Sequence, residues 1–155
     1  MVGVKEDKIR EIAYKTFEIT CYMFPLDEWE IEEHKPFELN DDSITALVEF
    51  EGAAVGGMYI SMAPELLDAI AENMLGIEEA DTELKEGALC EIANIICGNT
   101  VPVFAKEEKI CYIRPPRIVE GNENGAERFA GSGVEKLQIY LDEGVAEITL
   151  YYSTD

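Results

Sequence analysis

Residues 43–62 alternate by twos: Ile44, Ala46, Val48 and Phe50 stand against polar neighbours, and beyond Glu51-Gly52 the alternation resumes from Val55 to Met62. A period of two puts every second side chain on one face of a pleated strand, so this stretch predicts an antiparallel strand pair with one face turned to a core. The period then changes. Pro64 opens a segment with Leu66, Leu67, Ile70 and Met74 at helical spacing, which Gly76 closes. Residues 83–104 carry Leu84, Ala88, Ile92, Ile95 and Ile96 in the same rhythm and predict a longer helix. A strand pair followed by two amphipathic helices buries both apolar faces at once if the helices lie on the sheet.

The flanking segments complete that arrangement. Residues 5–24 predict an amphipathic helix with Ile9, Ile12, Ala13, Phe17 and Thr20 inward, stopped at Pro25. An edge strand is expected within residues 29–39, interrupted by Pro36. Residues 111–119 predict another strand, and residues 137–141 and 146–152 the arms of a hairpin turning at Asp142-Glu143-Gly144. Between them, residues 121–133 hold four glycines and two asparagines and too little apolar content to pack, which predicts a mobile connection. The expected fold class is α+β: a single domain over residues 1–155, with helices packed on a largely antiparallel sheet. The chain is 47% hydrophobic, enough to fill such a core.

Charge narrows the functions. A formal net charge of −21 leaves no patch of Lys and Arg able to neutralise nucleic-acid phosphates, and it disfavours anionic membrane surfaces. With no N-terminal signal pattern and no apolar run long enough to span a bilayer, the expected address is the cytoplasm. Cys21, Cys90, Cys97 and Cys111 form no C-x-x-C pair, so reduced, mostly buried thiols are expected rather than a zinc site or a redox couple. His34 is the single histidine and sits in the charged run Glu32-Glu33-His34-Lys35, a poor setting for a Ser-His-Asp or Cys-His mechanism. No phosphate-binding glycine loop, zinc-protease helix or dinucleotide fingerprint is present.

One pattern carries chemistry. Glu91-Ile92-Ala93-Asn94 sets an acid and an amide three residues apart on the long helix, hence on one face. Both fall outside the apolar stripe. One turn to either side along the same face come Gly87 and Gly98. Glycine inside a helix costs about 1 kcal/mol relative to alanine, so two of them beside two functional groups suggest a surface that another backbone must approach.

The run Glu86-Gly87-Ala88-Leu89-Cys90-Glu91-Ile92-Ala93-Asn94-Ile95-Ile96-Cys97-Gly98-Asn99, with 21 residues between Asn94 and Pro116, resembles the CheC/CheX/FliY family of bacterial chemotaxis phosphatases. That family's signature is E-x-x-N with a proline about 21 or 22 residues later, and the N-I-I-x-G-N run is most similar to CheX. The order of elements fits over most of the chain. Members often carry Asp or Ser four residues before the Glu, where this chain has Gly87. The family fold is built from two related halves, and Glu11-Ile12-Ala13-Tyr14 echoes the Glu91 motif with Tyr14 in place of the amide. One active helix is therefore expected, as in CheX.

The resemblance implies a phosphatase acting on the aspartyl phosphate of a phosphorylated CheY-like response regulator. Its catalytic residues would be Glu91, which pairs with a lysine of the partner, and Asn94, which orients the attacking water. No cofactor of its own is implied, since the Mg²⁺ is supplied by the response regulator. It also implies a homodimer joined through the sheet. Pro116, behind Pro115, is expected to stiffen the chain near the active helix, and Asn99 to cap or turn the helix end. The competing expectation is a non-catalytic adaptor of the same fold that docks receiver domains or senses a ligand. Asn94 discriminates, because docking alone does not need a water-orienting amide.

Overall fold

The strand pair foreseen at residues 43–62 lies inside a six-stranded sheet in the computed structural model, which describes residues 2–27, 29–30, 42–119 and 124–154. Strands β1 (Ile44–Gly52) and β2 (Ala54–Met62) pair antiparallel, with Ala46 opposite Ile60 and Val48 opposite Met58. The segment foreseen as one strand at 111–119 is two: β3 (Cys111–Ile113) and β4 (Arg117–Val119), both on the outer edge of β1. The break has a simple cause. Arg114 donates its N–H to Glu49 O at 2.8 Å, and Pro115 and Pro116 then have no N–H to continue the ladder. On the other side of β2 lies the hairpin β5 (Gly133–Leu141) and β6 (Gly144–Thr154), giving the order β3-β1-β2-β6-β5.

The register lines up one apolar face across the sheet. Ala46, Ile60, Ile148 and Leu137 form one row and Val48, Met58 and Leu150 the next, all buried. Helices α1 (Val2–Cys21), α2 (Pro64–Leu75) and α3 (Thr82–Thr100), with a 3-10 turn at Val101–Phe104, cover this face. Each fully buried aliphatic or aromatic side chain contributes about 1.5–3 kcal/mol. The α+β class and the single domain of helices on an antiparallel sheet hold.

The helix ends show local control. In α1, Ile9, Ala13 and Phe17 are fully buried, while Ile12 and Thr20 are only half-buried. It stops at Cys21, short of Pro25, because Tyr22 takes a left-handed φ of 56° and the Met23 N–H turns back to Phe17 O at 3.2 Å. Pro25 sits farther on, bridging Leu141. Gly76 closes α2 with a φ of 67°, its N–H bonded to Glu72 O at 2.8 Å. Leu84 departs from the expected stripe of α3 and is 41% exposed.

The loop expected to be mobile is partly built into the fold. Gly125–Arg128 forms a short helix, α4, whose N-cap Asn124 accepts from the Ala126 N–H at 3.0 Å. Phe129 behind it lies on the outer face of the sheet, stacked on Tyr151 with centroids 5.5 Å apart and edge-on to Tyr59 at 6.1 Å. Gly57 makes room for it, since a Cβ there would stand 2.6 Å from Phe129 Cζ. Leu47 and Val119 complete this second small core. Arg128 is held by Glu49, which also pairs with Arg117 at 3.3 Å.

Two further readings need adjustment. Trp29 and Glu30 are helical rather than extended, and the remainder of the strand expected at 29–39, with His34, lies outside the described residues. The helical run Thr82–Phe104 is long and apolar enough, by length and composition, to cross a bilayer, with a mean hydropathy of 1.3 over 18 residues. Half of that window is buried inside the fold, however, which is the state of a core helix.

Candidate functional site

Helix α3 is fixed at its start by Asp81, whose carboxylate accepts the Leu84 N–H at 2.9 Å. From there Ala88, Leu89, Ile92, Ala93, Ile96 and Cys97 turn inward and are buried against β1 and the neighbouring helices. Among the described residues that stripe leaves the opposite face of the helix open. Glu91 is exposed on it and Asn94, one turn on, is half-buried. Among the described residues neither side chain has a hydrogen bond or ion pair. Each thus keeps its full hydrogen-bonding capacity for something outside the chain: a carboxylate that only accepts, and an amide that both donates and accepts.

The glycines on this face are not demanded by packing against the described residues. A Cβ at Gly87 would meet nothing within 4 Å, and one at Gly98 would meet only Ile113 Cδ1 at an ordinary 3.7 Å. Both are helical, so φ does not require them either. A bare ridge costing about 1 kcal/mol per glycine is what remains to explain.

The surroundings of the ridge are also defined. Ile113, at the end of β3 and just before the Pro115-Pro116 break, lies beside the C-terminal part of α3 at Gly98. Asn99 donates its amide N–H to Ile95 O at 2.9 Å in the last turn, a bond internal to the helix. The thiols on α3 are held protonated. Burial pushes Cys97 up to about 12, reinforced by Cys111, and burial followed by the Glu86 carboxylate raises Cys90. Cys21 is raised by burial as well, so none of these is an activated nucleophile. The four cysteines are free thiols, Cys21 and Cys97 buried, Cys90 and Cys111 half-buried. Among the described residues no three His, Cys, Asp or Glu side chains gather into a group that could hold a metal ion.

Sequence reasoning missed one feature beside the ridge. Helices α1 and α3 pack together and leave a groove between them, lined on α3 by Ile95 and Asn99. Nothing in either helix alone announces it. The small Thr16 and Thr20 on α1 line it, but their spacing alone does not distinguish a groove from ordinary helix packing.

Comparison with known proteins gives a consistent picture. The family model described as "Chemotaxis phosphatase CheX" matches residues 44–142. A comparison with curated proteins finds no match. Among solved structures, the chemotaxis protein CheX from Vibrio vulnificus superposes with a TM-score of 0.74 at 18% identity, covering 96% of each chain. A CheX-CheY-BeF3-Mg complex from Borrelia burgdorferi gives 0.67 at 21% identity, covering 94% of this chain and 96% of the other. FliY of Thermotoga maritima gives 0.57 at 16% identity, covering 95% and 88%.

Proposed function

Since the chain belongs to the CheX family of chemotaxis phosphatases, we propose that it accelerates hydrolysis of the aspartyl phosphate on a CheY-type response regulator, with Glu91 and Asn94 as its working pair. The observation that carries this reading is the exposed acid and the half-buried amide one turn apart on a glycine-flanked ridge, neither engaged by the chain's own described residues.

The reaction breaks the bond between phosphorus and the aspartyl oxygen as a water oxygen forms a new bond to phosphorus from the opposite side. The aspartate leaves as carboxylate, and the proton of the water passes to the released phosphate. Little covalent chemistry is asked of the catalyst, so positioning and charge stabilisation lower the barrier. Asn94 fits that demand: its carboxamide oxygen accepts from the water while its N–H₂ can donate to a phosphoryl oxygen. Glu91 pairs with the partner's lysine and sets the register in which Asn94 enters the site. The Mg²⁺ belongs to the partner, where it neutralises phosphoryl oxygens. A relative from Borrelia burgdorferi was solved with CheY, BeF3 and Mg, which supports a receiver domain as the partner here.

The same reading makes the protein a cytoplasmic homodimer. Among the described residues β5 ends the sheet, and Pro25 and Leu26 lie along its last residues, where the Leu26 N–H bonds Tyr140 O at 3.0 Å. No described strand pairs with the outer side of β5, and an edge of that kind suits pairing with a second copy. The deciding measurement for the function is the decay of phosphorylated receiver domains from the same organism with and without this protein. Unchanged decay of every receiver would leave only the adaptor reading.

A further inference from the structure

The groove between α1 and α3 has a volume of about 340 Å³. On α3 its wall is Ile95 and Asn99, which stand four and eight residues beyond Glu91 and so continue the same row along the helix. The groove therefore adjoins the ridge of Glu91 and Asn94 rather than occupying a separate face. Its polar groups are already satisfied at the bottom. Thr16 and Thr20 donate to Ile12 O at 2.8 Å and Thr16 O at 2.5 Å, and Asn99 donates to Ile95 O. The apolar part of its lining includes Ile19, which is 63% exposed, and Ile95, which is half-buried.

The rim is cationic. Lys8 and Lys15, two turns apart on α1, both line the groove against one acid, Glu11. Among the described residues neither lysine forms an ion pair. In a chain with 33 acidic and 12 basic residues, these two lysines beside the proposed catalytic ridge outweigh the Glu11 carboxylate in the groove's lining, a local sign opposite to that of the whole chain. An anionic partner repelled by the far field would gain attraction only on reaching this register.

We propose that this groove is a second seat for the phosphorylated receiver domain, taking a surface segment in which an apolar side chain is flanked by a carboxylate. The apolar group lies between Ile19 and Ile95, and the carboxylate meets Lys8 and Lys15. The inference rests on the function proposed above and adds to it a recognition surface separate from the Glu91 contact. Docking at two points along one row fixes the rotation of the partner about the ridge, which a single ion pair leaves open.

Binding separates this from catalysis. The affinity of the full-length protein for a receiver domain loaded with beryllofluoride and Mg²⁺ is measured alongside steady-state dephosphorylation. The double variant Lys8→Glu with Lys15→Glu, and separately Ile19→Asp, should each weaken binding at least tenfold and raise KM with kcat at saturation unchanged, while circular dichroism confirms an intact fold. Parent-like affinity in both variants overturns the proposal, as does failure of the parent to bind any loaded receiver. A parent that binds but does not accelerate hydrolysis overturns the phosphatase reading instead, and the two variants still decide the groove by affinity.

Discussion

The phenolic oxygen of Tyr14 in α1 accepts a hydrogen bond from the backbone N–H of Tyr140 at 3.2 Å, at the position that corresponds to Asn94 in α3. The echo of Glu11-Ile12-Ala13-Tyr14 and Glu91-Ile92-Ala93-Asn94 thus divides by task. In α1 the final residue reaches the edge strand β5 and supports the sheet, whereas in α3 it stays on the open face.

Replacing Tyr14 by Phe should therefore cost stability without touching the proposed chemistry. Loss of the acceptor is expected to cost about 1 kcal/mol, which for a chain of this size lowers Tm by about 2–4 °C. Thermal unfolding checks the first part, and receiver dephosphorylation at 25 °C should equal that of the parent. A large drop in activity with unchanged Tm would assign α1 a catalytic share.

Asn94→Ala should leave the fold intact, since the amide has no partner among the described residues. Stimulated dephosphorylation should fall by about a hundredfold or more, the scale for losing one positioned polar group. Near-normal turnover by this variant would remove Asn94 from the mechanism.

Glu91→Lys should abolish stimulation, because the substitution turns attraction to the partner's lysine into repulsion. Glu91→Gln keeps the size and hydrogen-bonding reach and should be weakened less. Binding to a phosphorylated receiver as a function of salt tests the ion pair: equal affinity for parent and both variants would exclude it.

Gly87→Ala asks why the ridge is bare. A methyl group there meets nothing within 4 Å among the described residues, and the helix should gain about 1 kcal/mol. A higher Tm together with severalfold weaker receiver binding would mark Gly87 as a place where a partner backbone comes close. A higher Tm with unchanged binding would show the glycine to be dispensable for docking.

The proposed homodimer must overcome the repulsion of two subunits of −21 each. Salt screens that repulsion beyond about 8 Å at physiological strength. Added salt should therefore strengthen an association made through strand edges and apolar side chains. Light scattering at low and moderate ionic strength is the measurement, and a mass near the monomer's 17.3 kDa in both, well above micromolar concentration, would exclude a stable dimer.

What the sequence by itself determined rests on short-range periodicity. The strands of residues 43–62, the helix opened by Pro64 and closed by Gly76, and the shared face of Glu91 and Asn94 all follow from spacings of two, three and four residues. The tertiary structure decided what depends on contacts between distant segments. Phe129 looked like part of a mobile loop because its partners, Tyr59 and Tyr151, lie on two other strands, and an aromatic ring is ordered by the surface it meets rather than by its neighbours in sequence. The edge strand broke in two at Pro115-Pro116 because the missing N–H groups matter only once Glu49 and its neighbours present a ladder to pair with. The groove beside the Glu91 ridge exists only where α1 and α3 meet, so neither helix's pattern contains it; it is created when the sheet, by burying both apolar faces, brings the two helices side by side.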